Sequence, residues 1–306
     1  MTLEHRAFIY DGADDFVSVA VPFLTAGLEA GEAVVAVLRR AGHGPLREAL
    51  GEHAEAIAFH ASEDFYQHPV RTLKIYQELV QAERPRRVRA LAEPVWDGWS
   101  ARETLEWARY ESLINVAFAG SGAKALCPYD RTALPPEIIR HARETHPLLA
   151  SGAFTVRNPE YVKPADFGAR CDRTRRFDRP RDAAYLPIDS ADLRGLRAFV
   201  GDRAAAHGLA RQAAQNLVTA ANEAAANALR HGAPPAGLWL WTEGPDLVCE
   251  VGDHGSWPDA TPLVGFDPPE SALQRGFGLW TVRLLVDLME LRAGWDGTFV
   301  RMRQRR

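Results

Sequence analysis

Three stretches near the C-terminal end, NEAAANALRHG (222–232), VCEVGDHG (248–255) and GFGLWTVRLL (276–285), decide how the last part of this chain must fold. On a helix, residues four apart share a face, so Glu223 and Asn227 project side by side. A carboxylate beside a carboxamide suits a magnesium nucleotide, because the amide oxygen ligates a hard cation and the carboxylate accepts a proton. Asp253 closes the apolar run Leu247–Val251, a strand, and meets a glycine two residues later. A buried acceptor there can take a hydrogen bond from an adenine amino group, and Gly255 lets the ring approach the backbone. Gly276 and Gly278 precede a helical pattern of Leu279, Val282, Val286 and Met289. Backbone N–H groups at that helix start would face a phosphate.

Outward from these motifs, Leu193, Leu196, Phe199 and Val200 mark one amphipathic helix, and Leu217 through Leu229 an alanine-rich second one. Leu238 and Leu240 alternate with Trp239 and Trp241 in a strand, and Thr298–Met302 is another. Isolated, each motif has an ordinary structural reading: a solvated helix face, an Asx turn, glycine punctuation before a helix. Their order, with strands between them, resembles the N box and the two glycine boxes of the ATPase superfamily of gyrase, histidine kinases, heat-shock chaperones and mismatch-repair proteins. Within it, residues 184–306 look most like the compact anti-sigma-factor serine/threonine kinases.

The resemblance implies a two-layer α/β sandwich, with helices on one face of a mostly antiparallel sheet, binding ATP and Mg²⁺. It assigns Glu223 as the base or orienting carboxylate, Asn227 as the Mg²⁺ ligand and Asp253 as the adenine acceptor. His231 and Gly255 complete the nucleotide site, and Gly276, Phe277, Gly278 and Leu279 hold the phosphates. It also implies the partners, a sigma factor and an anti-anti-sigma protein of the STAS type phosphorylated on serine or threonine. One departure stands out: Ser256 and Trp257 follow Gly255 where the family places a second glycine. A sensor histidine kinase and a non-catalytic ATP-binding anti-sigma switch are the alternatives.

The first half alternates strand and helix signals: Ala7–Tyr10, a helix over Phe16–Ala30, Ala33–Leu38, Arg87–Leu91 and Ala123–Cys127. Such alternation predicts a parallel sheet covered by helices. The opening is similar to RecA-like ATPase domains, yet the first loop reads Tyr10-Asp-Gly-Ala-Asp-Asp15 and lacks a P-loop. Carboxylates at Asp11, Asp14 and Asp15 would repel a phosphate. His5, Tyr10, Tyr110-Glu111, Asn115, Leu126-Cys127-Pro-Tyr129-Asp130, Thr145-His146-Pro147 and Asn158-Pro-Glu-Tyr161 resemble the sensory domain of methanogen and methylotroph regulators, MEDS. That resemblance implies a small-molecule or cellular signal, with His5, Tyr10, Glu111, Cys127 and His146 as the sensory residues. The plain alternative makes Cys127 a core residue, Tyr129-Asp130 a turn and His146-Pro147 a helix stop.

The expected organisation is a sensory domain over 1–163, a charged linker over 164–183 and an ATPase domain over 184–306. Residues 163–182, KPADFGARCDRTRRFDRPRD, carry too little apolar surface for a core element. At 306 residues the chain is long for a single core. A net charge of −4 offers no electrostatic case for binding nucleic acid or membrane. The arginines of 173–181 and 301–306 read as a solvated linker and tail. Three cysteines without CxxC spacing, Cys127, Cys171 and Cys249, imply neither zinc nor a disulfide framework, and a reducing cytoplasm fits them. A homodimer stays open.

Overall fold

The computed structural model describes residues 2–152, 154–173, 178–256, 263, 265–266, 278–294 and 296–306. The chain divides into two compact units, Met1–Phe167 and Gly168–Arg306.

The first unit is built on a sheet of seven strands with helices on both faces. Its elements are β1 (Glu4–Tyr10), α1 (Gly12–Glu29), β2 (Ala33–Leu38), α2 (Arg40–Leu50), β3 (Ala58–Ala61), α3 (Ser62–Phe65) and α4 (Pro69–Ala82). They continue with β4 (Val88–Ala92), α5 (Ala101–Ala117), β5 (Lys124–Asp130), α6 (Pro136–Thr145), β6 (Leu148–Ser151) and β7 (Phe154–Arg157). The strand order is β3-β2-β4-β5-β1-β6-β7, parallel throughout except for the β6–β7 hairpin. β1 lies inside the sheet, paired along seven residues with β5 and at Arg6–Ala7 with β6. Strand side chains alternate between faces, so Phe8 and Tyr10 pack with α1 while His5 and Ala7 point to the opposite face. α5 starts at a capping box in which Ser100 and Glu103 satisfy each other's backbone N–H groups. The β1–α1 turn is closed by its own acids: Asp11 N–H donates to Asp15 Oδ2 at 3.1 Å, and Arg131 Nε donates to Asp11 Oδ1 at 2.9 Å.

α7 (Pro164–Asp172) carries the chain into the second unit and occupies the start of the stretch expected as a linker. There, β8 (Ala184–Ile188), α8 (Arg194–His207), α9 (Arg211–His231), β9 (Ala236–Glu243), β10 (Asp246–Asp253), α10 (Gly278–Leu285), β11 (Leu288–Ala293) and β12 (Thr298–Arg305) form a two-layer sandwich. The sheet is antiparallel, in the order β11-β12-β10-β9-β8. Its inner face, with Leu238, Leu240, Cys249, Val251 and Met302, packs against α8, α9 and α10. Ala220, Ala221, Ala224, Ala225 and Ala228 are the buried stripe of α9, and their small side chains bring that helix close to the sheet.

Two sequence expectations give way here. The pattern Leu279, Val282, Val286, Met289 is not one helix: α10 stops at Leu285, and Met289 belongs to β11, opposite Met302. Four apolar positions at helical spacing arose because both elements contribute to the same core. Two of the four C-terminal arginines, Arg301 and Arg303, are not solvated, while Arg305 and Arg306 are exposed. β12 runs to Arg305, and Arg301 is only 1% exposed, with its Nε 2.7 Å from Glu250 Oε2. Arg179, expected in a solvated linker, also pairs with Glu250 and stacks on Trp239 at 3.5 Å. Arg303 reaches Glu243 at 2.9 Å and Glu290 at 3.4 Å. Alternation along β12 places these arginines on the face away from the helices, where carboxylates of β10 and β11 wait for them.

Glu250 is 1% exposed, so removing it strips a desolvated guanidinium of its counter-charge. Glu250→Ala is expected to destabilise the second unit by about 3–5 kcal/mol, read from urea unfolding.

Candidate functional site

The nucleotide-type motifs converge at one end of the second sandwich. Glu223 and Asn227 lie half-buried on one face of α9, and His231 is exposed at that helix's last turn. Asp253 is the final residue of β10 and is 6% exposed. Its Oδ1 accepts from the Gly255 N–H at 2.7 Å and from the Ala233 N–H at 3.3 Å. Among the described residues Oδ2 takes no hydrogen bond, which leaves an open acceptor of the kind a purine amino group needs.

The surrounding glycines are a matter of space. A Cβ on Gly232 would come within 2.4 Å of the Asp253 carboxylate and 2.5 Å of Ala228 O. One on Gly255 would meet Asp253 Oδ1 at 2.8 Å and Gly232 Cα at 2.8 Å. The carboxylate therefore sits in a slot that only unsubstituted backbone can form. Gly278 opens α10 at a φ of +56°, and a Cβ there would stand 4.0 Å from Asn227 Nδ2. The start of α10 and the carboxamide are thus neighbours. The Leu279 side chain faces the core, so any role at a phosphate would fall to its backbone. Gly276, Phe277 and Trp257 lie outside the described residues.

A second cluster forms in the first unit. His5 on β1, Glu111 on α5, Cys127 on β5 and His146 just after α6 present their ligand-type atoms within 4.8 Å of one another, and all four are buried. His5 Nε2 is 3.5 Å from Cys127 Sγ and 3.8 Å from Glu111 Oε2, which is itself 3.6 Å from His146 Nε2. The two imidazole rings lie with centroids 4.0 Å apart. Parallel pairing sets His5 beside Ala125 and Ala7 beside Cys127, so both functional side chains emerge on one face. Tyr10, grouped with them by sequence, is not among them: five residues from His5, it points to the opposite face and packs on Phe8 and Phe16.

Electrostatics keep this cluster uncharged in the absence of a partner. Burial pushes Glu111 up to about 8 and lowers His5 to about 4, partly opposed by the Asn115 hydrogen bond. Burial also drives His146 well below the usual histidine range, with His5 adding to it, and raises the Cys127 thiol far above its usual value. A cavity of about 50 Å³ adjoins the cluster, lined by His5, Glu111, Cys127 and the tyrosines Tyr66, Tyr76 and Tyr110. Tyr66 and Tyr76 share a hydroxyl–hydroxyl hydrogen bond of 2.9 Å. Neither was legible as a site residue, since they arrive from the α3–α4 region with no motif to join them to β1.

Residues 4–147 match the family model of the MEDS, methanogen/methylotroph DcmR sensory domain. Residues 186–304 match that of the histidine kinase-like ATPase domain. The chain thus carries a MEDS domain followed by an ATPase domain of the histidine kinase-like type. A crystal structure of the RsbU and RsbW domains of Rv1364c from Mycobacterium tuberculosis is similar at 20% identity, covering 41% of this chain, with a TM-score of 0.31. This chain spans about a third of that one, 32% of its length. No curated protein matches. Among the described residues no helix is long and apolar enough to cross a membrane.

Asp253→Asn replaces half of the buried carboxylate by a donor facing a donor. It is expected to weaken ATP binding by about 1–3 kcal/mol in calorimetry. Gly232→Ala, which pushes a methyl group into the same carboxylate, should weaken binding in the same direction.

Proposed function

From a MEDS domain joined to a histidine kinase-like ATPase domain, we propose that this chain is a sensory anti-sigma factor. In this reading it binds Mg-ATP and phosphorylates a serine or threonine of an anti-anti-sigma protein of the STAS type. The observation that carries it is the carboxylate slot at the end of β10: Asp253 wrapped by Gly232, Ala233 and Gly255, with Asn227 beside the first residue of α10. These groups fit a nucleotide. Asp253 would accept from the adenine amino group, Asn227 would hold the Mg²⁺, and the N–H groups at Gly278 and Leu279 would point to the phosphates. Mg²⁺, when bound, offsets charge on the phosphate oxygens. Glu223, one turn before Asn227 on the same face, would orient the acceptor hydroxyl and take its proton.

The expected domain limits, 1–163, 164–183 and 184–306, remain part of this proposal, as do His231, Gly276 and Phe277 as nucleotide contacts. The MEDS domain supplies the input, and a small molecule bound beside Glu111 and His146 would bias the activity of the ATPase domain. Coupling of this kind is typically about 1–3 kcal/mol. A change of the acceptor from a partner's hydroxyl to a histidine of this chain would make the protein a sensor histidine kinase instead, and loss of transfer would leave an ATP-dependent sequestering switch.

Incubation with radiolabelled ATP and a STAS-type partner distinguishes these. Acid-stable label on the partner is expected, with Glu223→Ala abolishing it while sigma binding persists. Acid-labile label on this chain, or no label on either protein, would overturn the serine kinase assignment.

A further inference from the structure

The buried cluster of the first unit is arranged as a coordination shell. In a neutral imidazole one nitrogen donates and the other accepts, and here the outer partners choose between them. Asn115 donates its amide to Ser112 O at 3.0 Å and Thr145 O at 2.8 Å, which turns its Oδ1 toward His5 Nδ1 at 3.1 Å. His5 Nδ1 must therefore carry the proton. His146 Nδ1 lies 2.8 Å from Ala142 O, an acceptor only, and must carry its proton too. Both Nε2 lone pairs then face inward. His146 Nε2 and Glu111 Oε2 are buried without any hydrogen-bond partner, although they point at each other from 3.6 Å. A hydrogen-bonded core would have closed that gap, since unsatisfied buried polar atoms are costly.

The spacing has another explanation. Metal–ligand bonds of about 2.0–2.3 Å at a tetrahedral ion place neighbouring ligand atoms about 3.3–3.6 Å apart. Three of the six separations here are 3.5, 3.6 and 3.8 Å, and all four ligand atoms lie within 4.8 Å of one another, so small side-chain shifts would close the shell. Two imidazoles, one thiolate and one carboxylate favour a borderline-soft divalent ion over Mg²⁺ or Ca²⁺. On binding, Cys127 and Glu111 would give up their protons, and two anions with one dication leave the buried site without net charge. Histidine held by an outer acceptor through its other nitrogen is the usual second layer of such a site.

We propose that His5, Glu111, Cys127 and His146 form a four-ligand site for a divalent transition-metal ion of the Zn²⁺ class, set by Asn115 and the Ala142 carbonyl. The cavity beside it touches three of the four ligands, so a small apolar molecule there would lie against the metal's coordination shell. This extends the sensory reading of the first unit, and it stands whether or not the second unit transfers phosphate.

The test uses the full chain, stripped with a chelator, dialysed and titrated with Co²⁺ as a spectroscopic probe. One Co²⁺ per chain is expected, with thiolate-to-cobalt charge-transfer absorption and the intense visible bands of a tetrahedral ion, both displaced by Zn²⁺. Cys127→Ser should lose the charge-transfer band, Cys171→Ser should retain it, and Asn115→Ala should weaken affinity about 10–100-fold. If Cys127→Ser does not fold, X-ray absorption of the Zn²⁺-loaded native chain decides: one sulfur with three nitrogen or oxygen neighbours is expected. Failure of the native chain to take up either ion, a shell without sulfur, or a folded Cys127→Ser that keeps the band would overturn the site.

Discussion

The pairing of β1 with β5 on one side and β6 on the other is the interaction on which the first unit depends. It makes β1 an interior strand, which is why His5 and Ala7 on one face and Phe8 and Tyr10 on the other are all buried. It also brings residue 5 beside residues 125–127 and aligns β6 so that the chain just before it, at His146, reaches the same place. α5 then lays Glu111 across this junction, with Asn115 one turn later holding His5. Four groups from four elements meet because a single strand touches two others.

The second unit depends on a closer contact. Asp253 holds the turn after β10 through two backbone N–H groups, and the glycines around it leave no room for any side chain. The alanine stripe of α9 lets that helix settle on the sheet, which carries Asn227 toward the start of α10. The sheet's other face answers a different demand. Glu250, Glu290, Arg301 and Arg303 are all desolvated, and each is held by an opposite charge. Such pairs add little net stability over apolar packing, but breaking one is costly, and they fix the register of β12 against β10 and β11.

The two clusters share a design in which fixed backbone or outer-layer groups orient side chains that would otherwise be free. In one, N–H groups occupy one oxygen of a carboxylate and leave the other open. In the other, carbonyls and an amide hold two imidazoles by the nitrogens that do not face the centre. Preorganisation of this sort lowers the cost of binding, because the ordering has been completed during folding.

The amino-acid sequence by itself determined the fold class of the first half, because strand–helix alternation requires a covered parallel sheet. In the second half it marked amphipathic α8 and α9 and the alternating strands, while the two-layer sandwich was implied by the family resemblance of its ordered motifs. It also determined the nucleotide-type motifs, since ExxxN and DxG are local spacings that a helix and a strand end translate directly into neighbouring side chains. The missing P-loop was equally legible, because like charges at Asp11, Asp14 and Asp15 need no tertiary context to repel a phosphate. What only the tertiary structure decided was which distant residues meet. Tyr10 and His5 share a strand but not a face; Met289 left the helical pattern for a strand; Arg301 and Arg303 were drawn inward by carboxylates on neighbouring strands. The convergence of His5, Glu111, Cys127 and His146 follows from strand register, and the choice of which imidazole nitrogen faces inward follows from outer hydrogen bonds, one to Asn115, 110 positions from His5, and one to Ala142, a turn before His146. No local periodicity encodes those separations, because register is set by the packing of the whole sheet.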